Sequence, residues 1–298
     1  MSMPNNISNI SQYNDRMSKS ITDKLFFTNK VYDFDQIIDF GCADGSVLRE
    51  LHESINNVEL IGYDISTTML NIAKEKNPIA KYFDKWEDIK IKPESLLNLS
   101  SVFHEIYAYS TIDEIRNFWR LLFNSNFKYI VIRDMFVSEA TLTQTYSKDE
   151  EKVRSLSDKK TLGSFEHRNG SIKVLRNFIH YLLKYSYVDN WERENNENYL
   201  PLFYEDLLTI IPDWYTITFR DNFTLPFLKD KVKEDFDVDL KEKTDVTYKS
   251  CVIVTLDKNY NLCYNFYINT AKRRNEKMGK TIRVYGSSHK RNTLAKRP

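Results

Sequence analysis

Residues 37–66 read IIDFGCADGSVLRELHESINNVELIGYDIS, and this segment carries two of the few glycines in the chain. The protein has 298 residues and only seven glycines, whereas average usage of roughly 7% would give about three times as many. Gly41 and Gly45 lie four residues apart, directly after an apolar run. The pattern predicts a strand, a tight turn and a helix, with backbone that closely approaches a ligand.

Strands and helices alternate on both sides of this turn. The predicted strands are 35–40, 58–63, 79–83, 96–103 and 128–136. The predicted helices are 13–29, 46–55, 67–75 and 112–123. Alternation at this spacing is typical of βαβ units, so we expect an α/β fold with a doubly wound, mostly parallel sheet. In such sheets ligands bind at the carboxyl ends of the strands, and the glycine turn lies at the end of the first one.

The turn alone does not identify its ligand, since the amide groups at a helix start bind a phosphate or a carboxylate equally well. Asp64 follows the second strand, 19 residues after Gly45, where its carboxylate can accept hydrogen bonds from ribose hydroxyls. A nucleoside-containing cofactor is therefore expected. A dinucleotide fingerprint would need three glycines, but the series here is Gly41, Ala43, Ser46, which disfavours an NAD-dependent oxidoreductase. Asp39 suits an amine or a sulfonium better than a diphosphate.

The sequence DFGCADGS followed by GYDIS resembles motifs I and II of class I S-adenosylmethionine (SAM)-dependent methyltransferases. The resemblance covers residues 13–136 and implies a Rossmann-like fold, SAM as the cofactor and methyl transfer as the reaction. It also implies a set of cofactor-binding residues. These are Asp39, Gly41, Ala43, Gly45, Asp64, Ile65, Asp84, Ser100 and Ser101. The family usually has glycine where this chain has Ala43, which makes the affinity for the cofactor a question for experiment.

The chain is expected to divide into four parts around this core. Residues 1–137 would form the SAM-binding core, and residues 138–200 a helical insertion over the active site. Residues 201–258, with a helix at 203–210 and strands at 214–220 and 248–256, would complete a seven-stranded sheet. Residues 259–298 form a basic C-terminal extension.

The methyl acceptor is not identified by the sequence. His104 is the candidate catalytic base, because it follows the fourth predicted strand and a base there could take a proton from the acceptor. The alternative is a buried histidine with a structural role. The NPPY or DPPY signature of amino-methylating DNA enzymes is absent, since NLSS stands in its place at 98–101. Small molecules, proteins and RNA remain open as acceptors.

Charge is distributed unevenly along the chain. Residues 259–298 hold ten Lys and Arg against one acid, so this extension carries +9 and residues 1–258 carry −8, within a net charge of +1. The basic residues, which lie within 272–297, could bind nucleic acid, or could simply keep an extension in solution. A non-catalytic methyltransferase-like subunit, binding cofactor or using this extension for nucleic acid, is the alternative function.

Cysteine usage and hydropathy bear on the location of the protein. The three cysteines and five histidines show no zinc-ligand spacing, so no metal is expected. No disulfide framework is visible either, which favours a reducing compartment. We find no signal sequence and no apolar run of about 18 residues, so we expect a cytoplasmic protein that does not span a membrane. The oligomeric state is left open.

Overall fold

The structure is a computed structural model that describes residues 21–224, 226–240 and 249–256. In these residues seven strands form one sheet in the order β3-β2-β1-β4-β5-β7-β6. Strands β1 to β5 run parallel to one another, whereas β7 runs antiparallel to both β5 and β6. The predicted α/β fold with a mostly parallel, seven-stranded, Rossmann-like sheet is confirmed.

The strands are β1 Gln36–Phe40, β2 Glu59–Tyr63, β3 Lys81–Phe83, β4 Ser95–Ser100, β5 Tyr129–Asp134, β6 Tyr215–Phe223 and β7 Lys249–Leu256. The α-helices within the described ranges are α1 Ile21–Lys24, α2 Ser46–Ser54, α3 Thr67–Lys76, α4 Phe103–Tyr109, α5 Ile112–Asn124, α6 Ser147–Leu156, α7 Lys159–Asn169, α8 Leu175–Tyr185, α9 Trp191–Asn196, α10 Tyr204–Ile210 and α11 Pro226–Phe236. Short 3₁₀ turns occur at Trp86–Asp88, Glu139–Thr141 and Val188–Asn190.

Both faces of the sheet are covered, because alternate residues of its central strands point to opposite sides. Along β1, Ile37 belongs to one buried cluster and Ile38 to another. The Ile37 side packs against α2 and α3, and the Ile38 side packs against α4, α5 and α10. This two-sided burial explains the continuous apolar runs of the central strands.

The order of the strands reverses at β1, whose neighbours are β2 on one side and β4 on the other. The connections that leave the carboxyl ends of β1 and β4 go to opposite faces of the sheet, so a crevice opens between them. The glycine turn follows β1 and Ser101 follows β4. The topology therefore brings the two predicted motifs to one place.

A third hydrophobic cluster lies outside the sheet. It contains α8 residues such as Phe178 and Tyr181, and it also contains Phe236 of α11 together with Val238 and Leu240. The segment 226–240 comes from the connection between β6 and β7, far along the chain from the insertion. Residues from 138–200, the segment predicted to be an insertion, thus share one core with residues of 226–240.

Three parts of the structure differ from the sequence-based elements. The fourth strand ends at Ser100, not at 103, and the short helix α4 follows where no helix was predicted. Seven residues are too few for a periodic pattern to be recognised. Its start depends on a tertiary contact, because Asp134 on β5 accepts a hydrogen bond from the Phe103 amide at 2.7 Å.

The other two differences are at α1 and α11. The helix predicted over 13–29 ends at Lys24. The next residues form turns, in which the Thr28 amide donates a hydrogen bond to the Leu25 carbonyl and the Lys30 amide donates one to the Phe27 carbonyl. Its part before residue 21 lies outside the described residues, as does the basic extension 259–298. Helix α11 was not predicted. Within the described ranges, no helix is long and apolar enough to cross a bilayer.

Candidate functional site

The turn after β1 contains three residues in the left-handed conformation. Gly41, Ala43 and Gly45 have φ values of 74°, 46° and 72°. The amides of Gly41 and Cys42 both donate to the Tyr63 carbonyl at the end of β2, at 2.7 and 3.0 Å. The turn is therefore held against β2, and it leads directly into α2 at Ser46.

The two glycines are needed for different reasons. A Cβ atom on Gly45 would lie 2.8 Å from the Tyr82 hydroxyl and 3.0 Å from Cβ of Ala73, so Gly45 permits close packing of the turn against α3 and β3. Among the described residues, a Cβ atom on Gly41 would meet the Val102 side chain alone, at 3.1 Å. Gly41 lines the cavity described below, so here the backbone itself faces the site.

Asp64 is joined to the glycine turn. Its carboxylate accepts hydrogen bonds from the Ala43 amide at 2.9 Å and from the Ser66 amide at 2.8 Å, one on each oxygen. Burial raises the pKa of Asp64 above its ordinary value, although these two bonds oppose the shift. Each oxygen keeps capacity for a further donor. Ile65, directly after it, is half-buried.

A small cavity opens at the carboxyl ends of β1 and β4. Three predicted site residues line it: Asp39, Gly41 and Ser100. The other lining residues were not predicted from the sequence. These are Lys24, Cys42, Asp44, Ser46 and Val47.

Asp39 is the buried acid of this cavity. It is 3% exposed, and its Oδ1 accepts a hydrogen bond of 2.7 Å from the Asn98 side-chain amide on β4. Burial raises the pKa of Asp39 to about 6, against the opposing effects of Asn98 and Lys24. Within the described part of the chain, the buried Oδ1 of Asn98 has no hydrogen-bond partner. The pair therefore offers an acceptor for a buried cation or donor.

Asp44 and Lys24 are functional candidates that sequence reasoning missed. Asp44 is buried and accepts hydrogen bonds from the hydroxyl and amide of Ser46 and from the Lys76 ammonium. These bonds hold the pKa of Asp44 below its ordinary value, although burial alone would raise it. The sequence feature that could have identified Asp44 is its position inside the glycine turn. No sequence feature points to Lys24, because only the fold brings α1 to the cavity.

The end of β4 has an unusual backbone. Ser101 has a φ of 60°, its amide donates to the Arg133 carbonyl at 2.7 Å, and its hydroxyl accepts from Arg133 at 3.3 Å. Ser100 lines the cavity, and among the described residues its hydroxyl has no hydrogen-bond partner. A residue other than glycine in this conformation costs about 1–3 kcal/mol, and such strain often occurs at functional sites.

His104 lies in the first turn of α4 and is 9% exposed. Its Nδ1 lies 3.4 Å from Oδ1 of Asp134, and that carboxylate is anchored by the amides of Phe103 and Met135. Burial opposes the charged imidazole, but the hydrogen bond and charge of Asp134 outweigh it and raise the pKa of His104. No sequence signal connects His104 with Asp134, because the two residues meet only through the pairing of β4 with β5.

The insertion approaches this pair. The Tyr199 ring packs edge-on against His104, with 5.6 Å between ring centroids, and the Tyr199 hydroxyl is hydrogen-bonded to Glu194. Burial raises the pKa of Glu194 to about 7. Glu105 of α4 pairs with Arg193 of α9 at 3.8 Å. A polar contact zone thus joins α4 to the insertion.

Asp84 lies apart from these groups. It follows the edge strand β3 and is exposed. Its proposed contact with an adenine amino group stays a prediction. The proposed nucleic-acid contacts at 272–297 lie outside the described residues.

The residues at the cavity fit the cofactor that the sequence resemblance implies. SAM carries a ribose, an ammonium, a carboxylate and a sulfonium. The Asp64 carboxylate, the Asp39–Asn98 pair and the Ser100 hydroxyl offer acceptors for the first two. Lys24 and the start of α2 offer a cation and a positive helix end for the carboxylate.

No curated protein sequence matches this chain. Solved structures with a similar fold include a SAM-dependent methyltransferase from Archaeoglobus fulgidus, with 14% identity, a TM-score of 0.46 and coverage of 83% of this chain and 100% of that one. The plantazolicin methyltransferase BamL, in complex with SAH and a triazolic desmethylPZN analog, has 12% identity and a TM-score of 0.45. That match covers 83% of this chain and 89% of BamL. A SAM-dependent methyltransferase from Anabaena variabilis has 13% identity and a TM-score of 0.45, and the match covers 80% of this chain and 85% of that one.

A protein-family model also matches. Its description is "Methyltransferase domain", and it covers residues 37–119. The matched region begins in β1, contains the glycine turn, Asp64, Ser100 and His104, and ends in α5.

Proposed function

We propose which residues of this chain bind the cofactor and from which side the methyl acceptor enters. The chain carries a class I SAM-dependent methyltransferase domain. SAM is the cofactor and methyl transfer is the reaction. The acceptor would enter between α4 and the insertion 138–200 and would meet the methyl group at the carboxyl end of β4. The contact of Tyr199 with His104 supports this side, because it brings the insertion to the edge of the sheet.

The ribose of the cofactor would be bound by Asp64. The observation that carries this assignment is the bond from the Ala43 amide to Oδ2 of Asp64, since it links the acid directly to the glycine turn. Gly41, Ala43 and Gly45 would shape the backbone around the cofactor, and Ile65 would pack beside the nucleoside. Asp84 would contact the adenine amino group.

The methionine part of the cofactor would lie in the cavity. Asp39, supported by Asn98, would accept hydrogen bonds from its ammonium, and the carboxyl end of β4 at Ser100 and Ser101 would face the sulfonium side. When bound, the cofactor supplies an electrophilic methyl group. The protein would contribute mainly alignment of the two reactants, which can supply roughly 7–11 kcal/mol of the barrier in favourable cases.

His104 would act as the base when the acceptor is protonated. Asp134 would orient the imidazole through Nδ1, so that Nε2 remains available for the acceptor proton. Because Asp134 raises the pKa of His104, the neutral form that accepts a proton is favoured on the alkaline side of its ordinary range.

The acceptor itself would be a small molecule, a protein or RNA. The basic residues at 272–297 favour a partner with phosphate groups, and we propose that they bind nucleic acid. The cysteine usage favours a cytoplasmic location.

The test is a calorimetric titration with SAM, with S-adenosylhomocysteine and, as a control, with NAD. We expect the first two to bind and NAD not to bind. Asp64→Ala should weaken binding of both by about 10- to 100-fold, because hydrogen bonds to a charged group contribute about 1.5–3 kcal/mol. Unchanged affinity in this variant would overturn the ribose assignment, and preferential binding of NAD would revive the oxidoreductase.

Transfer of labelled methyl groups to candidate acceptors follows the titration. With an acceptor found, His104→Gln should keep the SAM affinity of the wild type and lower kcat by about 10²- to 10⁴-fold. A loss of SAM affinity with unchanged kcat would assign His104 a structural role. Binding of SAM without transfer to any acceptor would favour the non-catalytic subunit.

A further inference from the structure

Tyr199, which lies in the segment 138–200, packs its ring against His104 of α4. The two ring centroids are 5.6 Å apart, and the ring planes are inclined at 75°. Tyr199 is 7% exposed and His104 is 9% exposed, so water is largely excluded from this contact. Edge-on contacts between rings favour particular orientations over others. The ring of Tyr199 therefore affects which way the imidazole points.

Hydrogen bonding by itself holds the imidazole of His104 only weakly. Its Nδ1 is 3.4 Å from Oδ1 of Asp134, beyond the usual range of about 2.7–3.2 Å, and the same oxygen accepts a shorter bond of 2.8 Å from the Met135 amide. The torsion that turns a histidine ring is broad and roughly two-fold, so neighbours must select one of two orientations. A half turn would move Nδ1 away from Asp134. A second contact is therefore needed to hold the ring.

Contacts within its own segment fix the position of Tyr199. Its hydroxyl is hydrogen-bonded to the Glu194 carboxylate, and its backbone amide donates to Nε2 of His180 at 3.3 Å. The Lys184 ammonium lies over its ring, 4.8 Å from the centroid, and also donates to the Glu194 carbonyl. A ring anchored at its hydroxyl, at its backbone and on its face forms a fixed surface for the imidazole.

The acids near His104 do not select an orientation in the same way. Burial disfavours the charged imidazole, but the hydrogen bond of Asp134 and the charges of Asp134, Glu105 and Glu197 outweigh it and raise the pKa of His104. The charge of an imidazolium is spread over its ring, so carboxylates attract it in either orientation. The neutral imidazole is the form that acts as a base, and its orientation depends on its shape and on its one hydrogen bond.

We propose that Tyr199 is a positioning residue for His104: its fixed ring keeps Nδ1 of the imidazole toward Asp134 and keeps Nε2 available for the proton of the methyl acceptor. This role rests on the proposed function, because it matters for methyl transfer only if His104 is the base. The segment 138–200 then supplies a group that orients the base, in addition to bounding the side from which the acceptor enters.

The tautomer of neutral His104 reports this orientation, and the nitrogen chemical shifts of the ¹⁵N-labelled full-length protein measure it by NMR. While Nδ1–H donates to Asp134, Nε2 carries no proton. His104→Gln identifies the signals by their loss, since the chain has five histidines. We expect the Nδ1–H tautomer to predominate in the wild type. Tyr199→Leu should lower the ratio of Nδ1–H to Nε2–H by about 2- to 12-fold, the change that the loss of one edge-on ring contact corresponds to.

Two matched variants separate orientation from packing. Tyr199→Phe keeps the ring that faces His104 and Lys184, so it should keep the ratio of the wild type. Tyr181→Leu makes the same change as Tyr199→Leu at a fully buried tyrosine of the same hydrophobic cluster, whose ring packs against Phe165. It should lower the stability of the protein and leave the ratio at His104 unchanged.

Three results would overturn the proposal. They are similar amounts of both tautomers in the wild type, an unchanged ratio in Tyr199→Leu, and an equal fall of the ratio in Tyr199→Phe or Tyr181→Leu. If circular dichroism shows that Tyr199→Leu does not fold, Tyr199→Met, whose flexible side chain fills the space without a ring, takes its place.

The measurement needs neither SAM nor an acceptor, so its failure is distinct from a failure of the proposed function. A wild type that does not bind SAM would contradict the cofactor assignment and leave the tautomer ratio as measured. Once an acceptor is known, Tyr199→Leu should lower kcat by a similar factor at the SAM affinity of the wild type. A changed ratio with an unchanged kcat would contradict His104 as the base, but not its orientation by Tyr199.

Discussion

Ala43 combines two features at the scale of a single residue. Its φ of 46° lies in the left-handed region, and its amide is the donor to Asp64. For a residue with a Cβ atom this conformation costs about 1–2 kcal/mol relative to the right-handed one, whereas glycine adopts both with similar ease. The chain therefore keeps a backbone shape that suits glycine while using alanine.

We expect Ala43→Gly to raise the free energy of unfolding by up to about 1 kcal/mol, because it removes this strain and leaves the amide in place. Part of the gain is offset by the greater entropy of glycine in the unfolded chain. Urea unfolding followed by circular dichroism measures the change.

Ala108→Gly is the matched control, since Ala108 lies inside α4 in a normal helical position. There the same substitution should lower the free energy of unfolding by about 1 kcal/mol. If both variants were destabilised equally, the left-handed conformation at Ala43 would not be a source of strain.

At the scale of secondary structure elements, the turn depends on how closely α2, β2 and β3 pack. Gly62 lies in the middle of this contact, on β2. A Cβ atom there would lie 2.7 Å from Sγ of Cys42, 2.7 Å from a ring carbon of Tyr82 and 2.9 Å from a methyl group of Leu48. The glycine thus lets the turn approach the second strand, which places Asp64 within reach of Ala43.

Gly62→Ala should lower the free energy of unfolding by about 1–3 kcal/mol through overpacking. It should also weaken SAM binding, because the Cys42 segment would move away from β2. Thermal unfolding and calorimetry measure the two effects.

Gly163→Ala provides the comparison. Gly163 lies in α7, and a Cβ atom there would meet no atom of the described residues within 4 Å. Alanine should therefore stabilise the helix by about 0.5–1 kcal/mol and leave SAM binding unchanged. If Gly62→Ala were as stable as the wild type, the close packing of β2 against the Cys42 segment, Tyr82 and Leu48 would be contradicted.

The position of helix α4 is set by the packing of its first residue, Phe103, in the core. Phe103 is fully buried and stacks on Trp119 of α5 with 5.0 Å between ring centroids, so the helix is fixed against the sheet. His104 is the next residue, and its Nδ1 lies 3.4 Å from Oδ1 of Asp134. Its placement beside the insertion is therefore a consequence of core packing.

At the scale of the whole molecule, charge is divided between a basic C-terminal segment and an acidic remainder. Residues 259–298 carry +9 and residues 1–258 carry −8. If the basic segment binds nucleic acid, its cations release counter-ions from the phosphates, and the affinity falls steeply with salt.

Deletion of 259–298 should therefore flatten the dependence of log K on log salt concentration for a single-stranded RNA probe, measured by fluorescence anisotropy. The expected slope is about −0.7 per phosphate neutralised on a single strand. A variant of full length, with the Lys and Arg of 272–297 replaced by Gln, separates charge from chain length. An unaltered slope in both proteins would assign nucleic acid binding to another part of the chain or to none.

The predicted insertion 138–200 and the segment 226–240 share one hydrophobic core. Phe236 of α11 packs against Tyr185 of α8 with 4.7 Å between ring centroids, and it is 1% exposed. The side of the site on which we place the acceptor is thus stabilised by residues that follow β6. This dependence is a property of the tertiary structure, since the two segments are about 50 residues apart.

The sequence by itself determined the sheet and the outline of the cofactor site. Alternating apolar strands and helices predicted the doubly wound fold, and local spacing located the glycine turn, Asp39 and Asp64, because each of these lies within a few residues of a strand end. These features depend on local periodicity and on the topology that it implies. The division of the chain and the roles of the site residues stay predictions.

Only the tertiary structure decided which distant groups meet. Lys24 reaches the cavity from α1, Asn98 reaches Asp39 across 59 residues, and Asp134 reaches His104 across 30 residues. The missed helices α4 and α11 depend likewise on partners elsewhere in the chain. The physical reason is that burial and hydrogen bonding act between neighbours in space, and a single sequence records only neighbours along the chain.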